Sequence, residues 1–393
     1  MKTRIYKYDN VKALLIFLVV IGHMTTDYVS DSHLVRWITL WIYMFHMPAF
    51  IFISGLMHKQ YITEEKASLG IKGETKLRWD KVWGLFFCGY GLKLFLQFTR
   101  TLMGQHPLWH TIAEPGIPWY LFVMAEYELL FYLMRRIDSK VKPWAVITGA
   151  FALSAVIGYF PVIGDTFCLS RMINFLPIYS IGYYLDMKTV LAFFEDARRK
   201  TVLAVGGWIV IIGTMLLCYF AKWGAYSWRK WFTGRRSYEF LTDFFSYAYK
   251  YGWCIRIAVW AFAILITIAI IAVIPDRNSG FITTIGSRTI QVYFWHRPLC
   301  YLFRNWMVLP KLVMLFGGTY DTALAGQAKG LAFGGSTLSM VAAFAVYCLI
   351  GALITAFFSL KIFEHPTKEL MDLGRKLGDH MGNNKTAKNQ KSA

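Results

Sequence analysis

Val11 to Val29, VKALLIFLVVIGHMTTDYV, is the stretch whose reading decides the fold. At about 1.5 Å per helical residue it nearly spans a hydrocarbon layer about 30 Å thick. It is apolar from Ala13 to Gly22, yet it holds Lys12, His23 and Asp27. Lipid accounts for the apolar run, and the ionisable groups inside it call for a functional or structural reason. Lys12 and His23 stand roughly three turns, or about 16 Å, apart on one helical face. Lys12 therefore marks one edge of the membrane, and His23 lies near its middle.

Similar runs recur along the chain. Of 393 residues, 56% are hydrophobic and only 17% charged, well short of the quarter usual in soluble domains. Runs bounded by charges, Pro and Gly place spans near 11–29, 38–58, 82–103, 118–134, 143–160, 172–187, 201–220, 257–274, 287–309 and 333–360. The expected fold class is an all-α, polytopic integral membrane helical bundle of about ten transmembrane helices. The basic opening MKTRIYK leads into the first run without a small-residue cleavage site, so that run reads as a retained helix.

Segments 1–12, 59–81, 135–142, 186–200, 275–288 and the tail from 361 hold 27 of the 42 Lys and Arg, and the segments on the other side hold fewer than half as many. The positive-inside rule then puts both termini in the cytoplasm. This topogenic pattern accounts for the net charge of +19 and argues against a nucleic-acid partner, because no basic face forms on a soluble unit. One membrane domain over 1–373 is expected, in contact with lipid, followed by a basic cytoplasmic tail over 374–393 with too few apolar residues to order itself. The six Cys have no metal-like spacing and read as packing residues, with no metal site expected.

Depth along each run sorts the polar residues inside. His46 and His296 reach about 12 and 14 Å, close to the level of His23. Lys93 and Glu126 reach similar depths and could pair with each other, and Asp27 is placed to orient or charge-stabilise His23. Histidine suits proton movement near neutral pH, which activation of a hydroxyl nucleophile requires, although a lone intramembrane His is often only a hydrogen-bonded bundle residue. Arg78 and Lys81, with Lys76 before them, sit where a loop enters the third span. They are either topogenic or a phosphate site, which Lys12 could join. The segment 221–256 is basic and crowded with aromatics, Trp223, Trp228, Trp231 and Tyr238 among them. It reads as an interfacial helix or as an aromatic platform for a saccharide or lipid-linked acceptor.

Several stretches carry a family pattern: YDNVKALLIFLVVIGH (8–23), FHMPAFIFISG (45–55), RWDKV (78–82), WYLFVMAEYELLFYL (119–133), RMINFLPIYSIGYYL (171–185) and IGSRTIQVYFWHRPL (285–299). The chain resembles the acyltransferase-3 family of bacterial membrane O-acyltransferases, particularly its fucose-4-O-acetylase-like branch. The resemblance implies acyl transfer from cytosolic acyl-CoA, usually acetyl-CoA, to a hydroxyl of an envelope glycan or related acceptor across the cytoplasmic membrane. It implies donor phosphates at Lys12, Arg78 and Lys81, where Lys12 and Lys81 replace family arginines. The expected catalytic set is His23, with Asp27 or Glu126 steadying it and His46 and His296 in support, and Arg171 is expected to bind the acceptor. The rival reading is a proton-coupled secondary transporter, which also uses midplane His, Lys and Glu, although no pair of related halves is visible here.

Overall fold

Backbone polar groups in hydrocarbon must be satisfied within their own segment, and the apolar runs accordingly fold as helices. The computed structural model describes residues 5–70, 75–108, 110–114, 116–137, 141–220, 229, 231–242, 246–327 and 332–391. In chain order the helices are α1 (Tyr6–Thr25), α2 (His33–Leu69), α3 (Trp79–Leu102), α4 (Trp119–Ile137), α5 (Pro143–Ile157), α6 (Leu169–Tyr184) and α7 (Met187–Glu195). They continue with α8 (Lys200–Phe220), α9 (Ala248–Val273), α10 (Phe281–Ser287), α11 (Thr289–Asn305), α12 (Val308–Leu315), α13 (Thr337–Phe358) and α14 (Thr367–Lys391). One two-stranded antiparallel pair, β1 (Thr319–Tyr320) with β2 (Phe333–Gly334), is the only sheet among the described residues.

Among the described residues six helices, α1, α2, α3, α8, α9 and α13, are long and apolar enough to cross a membrane. Of the other expected spans, α5, α6 and α11 have 15, 16 and 17 residues. That is short of the ~20 needed for a perpendicular crossing. The fourth, α4, carries Glu126, Glu128, Arg135 and Arg136 in 19 residues. A face of α8 presents Val202, Val205, Trp208, Ile209, Ile212 and Leu216 outward, a surface that suits lipid and not water.

Helix boundaries depart from the expected spans where caps and breaks intervene. The second run is a helix of 37 residues, about 55 Å long, reaching well past residue 58. Ser32 caps its start by accepting from the Val35 amide, and Gly70 ends it in the left-handed region at φ 63°. The ninth run is broken at Arg288 and again at Met307, which also adopts positive φ.

Residues 374–391 of the tail continue α14. Its apolar content is low, as the sequence indicates, but Gly374 and Gly378 lie directly on the α3 backbone at Gly84 and Asp80. Close backbone approach there substitutes for a hydrophobic stripe.

The same device fixes α2 against α6. A Cβ on Gly55 would fall on the Tyr179 carbonyl, and one on Gly182 would fall on the Phe52 carbonyl. Polar ties supplement it, with Thr39 donating to Thr25 at 2.8 Å and the Trp41 indole donating to Thr214 at 3.1 Å. α2 is the most enclosed of the six, with 83% of its apolar window buried, against 22% for α8. The site is built around α2 and α1.

Candidate active site

Two cavities lie side by side in the bundle. The first, about 240 Å³, is lined by Lys12, Lys81 and Glu128 at one end and by apolar side chains such as Ile16, Phe50 and Leu85 beyond them. The second, about 300 Å³, is lined by His23, His46, Tyr43 and five arginines. Val19, Met47 and Tyr293 line both. Helix α1 therefore leads from Lys12 in the first cavity, past Val19, to His23 in the second.

The three expected histidines converge. The His23 and His296 rings lie 5.3 Å apart, and the Tyr43 ring stands edge-on to His46 at 5.0 Å and to His23 at 6.5 Å. A carbonyl can only accept, so each ring nitrogen facing one must carry the proton. His46 Nδ1 donates to the Ile42 carbonyl at 2.7 Å, and His296 Nδ1 faces those of Val292 and Tyr293 at 3.0 Å. In both rings Nε2 is left as the proton acceptor, and in His296 it has no hydrogen-bond partner among the described residues. His23 and His46 line the second cavity, and His296 backs His23.

Arg171 also reaches this cavity. It donates to the carbonyls of Glu114 and Gly116 at 3.3 Å, sits 3.6 Å from Asp165 and lies over the Trp119 ring.

Two expected partners of His23 lie elsewhere. Asp27, in the 3₁₀ turn after α1, is 3.4 Å from Arg304. Glu126 lines neither cavity, and its Oε2 is buried without a hydrogen-bond partner among the described residues. Lys93 pairs with Glu114 at 3.3 Å and donates to the Ala113 carbonyl, so it does not form the expected pair with Glu126. In place of Asp27, the residue that touches the His23 backbone is Arg297, which donates to its carbonyl at 3.3 Å.

At the mouth of the first cavity the expected cations gather around a carboxylate. Glu128 is 2.5 Å from Lys81 and 3.7 Å from Arg78, and its other oxygen is 3.1 Å from His58 Nε2. His58 Nδ1 bonds Tyr179 at 2.6 Å, and Arg78 covers the Tyr61 ring at 3.5 Å. Lys12 pairs with Asp9 at 2.9 Å.

Of the aromatic segment, Trp223, Trp228, Phe244 and Phe245 lie outside the described residues. Trp231 and Tyr238 are fully buried, and the Arg256 guanidinium stacks 3.8 Å over Trp231. Those two aromatics are packed in the interior and do not lie on a surface.

Over residues 5–360 the chain matches the family described as an acyltransferase domain, acyltransferase-3. The chain belongs to the acyltransferase-3 family. No match to a curated protein or to a solved structure accompanies that finding. With its apolar helices, it is a multi-pass membrane acyltransferase, and the transporter reading is not favoured. The two neighbouring cavities bring Lys12, His23, His46 and Arg297 of α1, α2 and α11 to their walls.

Proposed function

We propose that this acyltransferase moves an acyl group, with acetyl the first choice, from a CoA thioester entering at the Lys12 end to a hydroxyl held in the His23 cavity. The observation that carries the reading is the adjacency of the two cavities along α1, with cations at one end of the first, histidines in the second, and Val19, Met47 and Tyr293 lining both. Lys12, Arg78 and Lys81 would receive the CoA phosphates, and the apolar walls of the first cavity suit the uncharged pantetheine arm. The excess of Lys and Arg on the Lys12 side supports a cytoplasmic donor mouth and an acceptor from the opposite face, a glycan or related envelope saccharide at a bacterial inner membrane. In this topology α4, α5, α6 and α11 complete ten crossings.

In the reaction a His23 nitrogen takes the hydroxyl proton as the oxygen attacks the thioester carbonyl. The C–S bond then breaks, and the thiolate recovers a proton to leave as CoA, with the acyl ester as product. His296 positions His23, and His46 faces the same space as a second acceptor. The test is transfer from labelled acetyl-CoA in proteoliposomes. His23→Ala is expected to lose about a hundredfold or more in kcat, the usual worth of a general base. Full activity in that variant would remove His23 from the mechanism.

A further inference from the structure

The second cavity is strongly basic. Arg171, Arg229, Arg235, Arg236 and Arg297 line it, and no Asp or Glu does among the described residues. Asp165 contacts two of the five, Arg171 and Arg235. Arg229 lies over the Tyr43 ring, 5.1 Å from its centre and 3.5 Å from Thr26 Oγ1. Arg236 and Arg297 make no ion pair among the described residues. Arg236 stands over Phe240 at 5.5 Å and Arg297 over Tyr301 at 4.7 Å, and Arg297 Nε is buried with no hydrogen-bond partner among the described residues. Arg171 is buried, Arg229, Arg235 and Arg297 are half-buried and Arg236 is exposed, and a guanidinium held inside a bundle is costly unless an anion meets it. Their planar forks match the oxygens of carboxylate and phosphate groups.

We infer that the acceptor is acidic: the His23 cavity takes a saccharide bearing an ionised carboxylate or phosphate close to the hydroxyl that is acylated. This rests on the reading of that cavity as the acceptor site. Arg297 sits on the His23 carbonyl and Arg229 over the Tyr43 ring that packs against His23 and His46, so these two would draw the acid group toward His23. Arg235 and Arg236 extend the positive surface away from it. A neutral sugar would leave this charge unmet, and the cavity would discriminate by acidity before it discriminated by ring stereochemistry.

The full-length protein in nanodiscs is titrated with methyl glucuronide, methyl glucoside 6-phosphate and methyl glucoside, reading thermal stabilisation without donor and then acetyl transfer with labelled acetyl-CoA. The two acidic probes are expected to bind about tenfold or more tighter than the neutral one, with an affinity that falls as salt rises. The carboxylate and phosphate arms show which acid group fits better. Arg297→Gln, which strands no carboxylate, is expected to remove most of that preference, and Arg297→Lys to retain much of it. Selective binding of the acidic probes without acetylation of any of them would keep the anion site and overturn the transfer reading. Equal binding of all three probes, or an unchanged preference in Arg297→Gln, would overturn the acidic acceptor. So would loss of stabilisation by CoA in that variant, because the arginines would then be holding the donor.

Discussion

Glu128 shows how much a single residue can decide at the donor mouth. Its carboxylate holds Lys81 and Arg78, the cations that would otherwise meet phosphates, and ties them through His58 to Tyr179. A donor phosphate must compete with it for the same two side chains. Glu128→Gln is expected to cost about 2 kcal/mol of stability by leaving those cations without their counter-charge. CoA should then raise the melting temperature more in the variant than in the wild type, because its phosphates replace the lost charge. A smaller CoA response in the variant would show that Glu128 helps the donor to bind. The sequence reading selects Glu126 and passes over Glu128 for a physical reason. The two have nearly the same depth on α4 but lie about 200° apart around the helix, so depth alone cannot say which one looks inward. The histidines were legible because their depths agreed across three separate runs. Arg297 was not, although it follows His296 directly, since proton-transfer chemistry favours imidazoles over a neighbouring guanidinium.

Helix contacts carry the next level of the argument. The apolar runs show where helices exist, but the seams between them depend on glycines whose neighbours are distant in sequence. Nothing in residues 45–55 indicates that Gly55 meets Tyr179, or in the tail that Gly374 meets Gly84. Gly182→Ala, with its Cβ on the Phe52 carbonyl, is expected to push α6 from α2, at a cost of about 1–3 kcal/mol. It should also lengthen the His58–Tyr179 bond. Gly206→Ala, in the middle of α8 with open space around its Cβ, is expected to stabilise by about 0.5–1 kcal/mol through helix propensity alone. Thermal unfolding of both variants in one detergent checks the contrast, and equal effects would mean that the α2–α6 seam is loose.

A polar seam behaves differently. Glu195, at the end of α7, joins Lys7 of α1 at 2.8 Å and Lys200 of α8 at 2.6 Å. Burial alone would raise its pKa, but hydrogen bonds from Lys200 and Lys7 outweigh burial and hold the carboxyl below its ordinary value. The folded state thus binds the proton less readily than the unfolded chain. The stabilisation is complete above about pH 4.3, the unfolded value, and is lost as pH falls through the folded one. Melting temperature followed from neutral to acid should show wild type exceeding Glu195→Gln by a margin that narrows below about pH 4.3. A constant margin would contradict the linkage.

Across the whole molecule, charge asymmetry and the two cavities point the same way. In the proposed reaction the donor enters at the lysine-rich end and the acceptor lies with the histidines and arginines, so the chemistry would require the two cavities to communicate past Val19, Met47 and Tyr293. Tyr293 is fixed there by its hydroxyl, which donates to the Ile117 carbonyl, whereas Val19 contributes only bulk. Val19→Phe places a ring in the passage while leaving the Lys81–Glu128 cluster and the arginine cavity intact. If the passage conducts the acyl arm, this variant should still be stabilised by CoA at one end and by an acidic sugar at the other. Its acetyl transfer should drop by about a hundredfold, since a misplaced reacting group loses most of the benefit of proximity. Val19→Ala, which widens the passage, should keep transfer and serves as the folding control for the same position. Wild-type transfer by a folded Val19→Phe protein would mean that donor and acceptor meet by another route, and the two cavities would then be neighbours without being one active site.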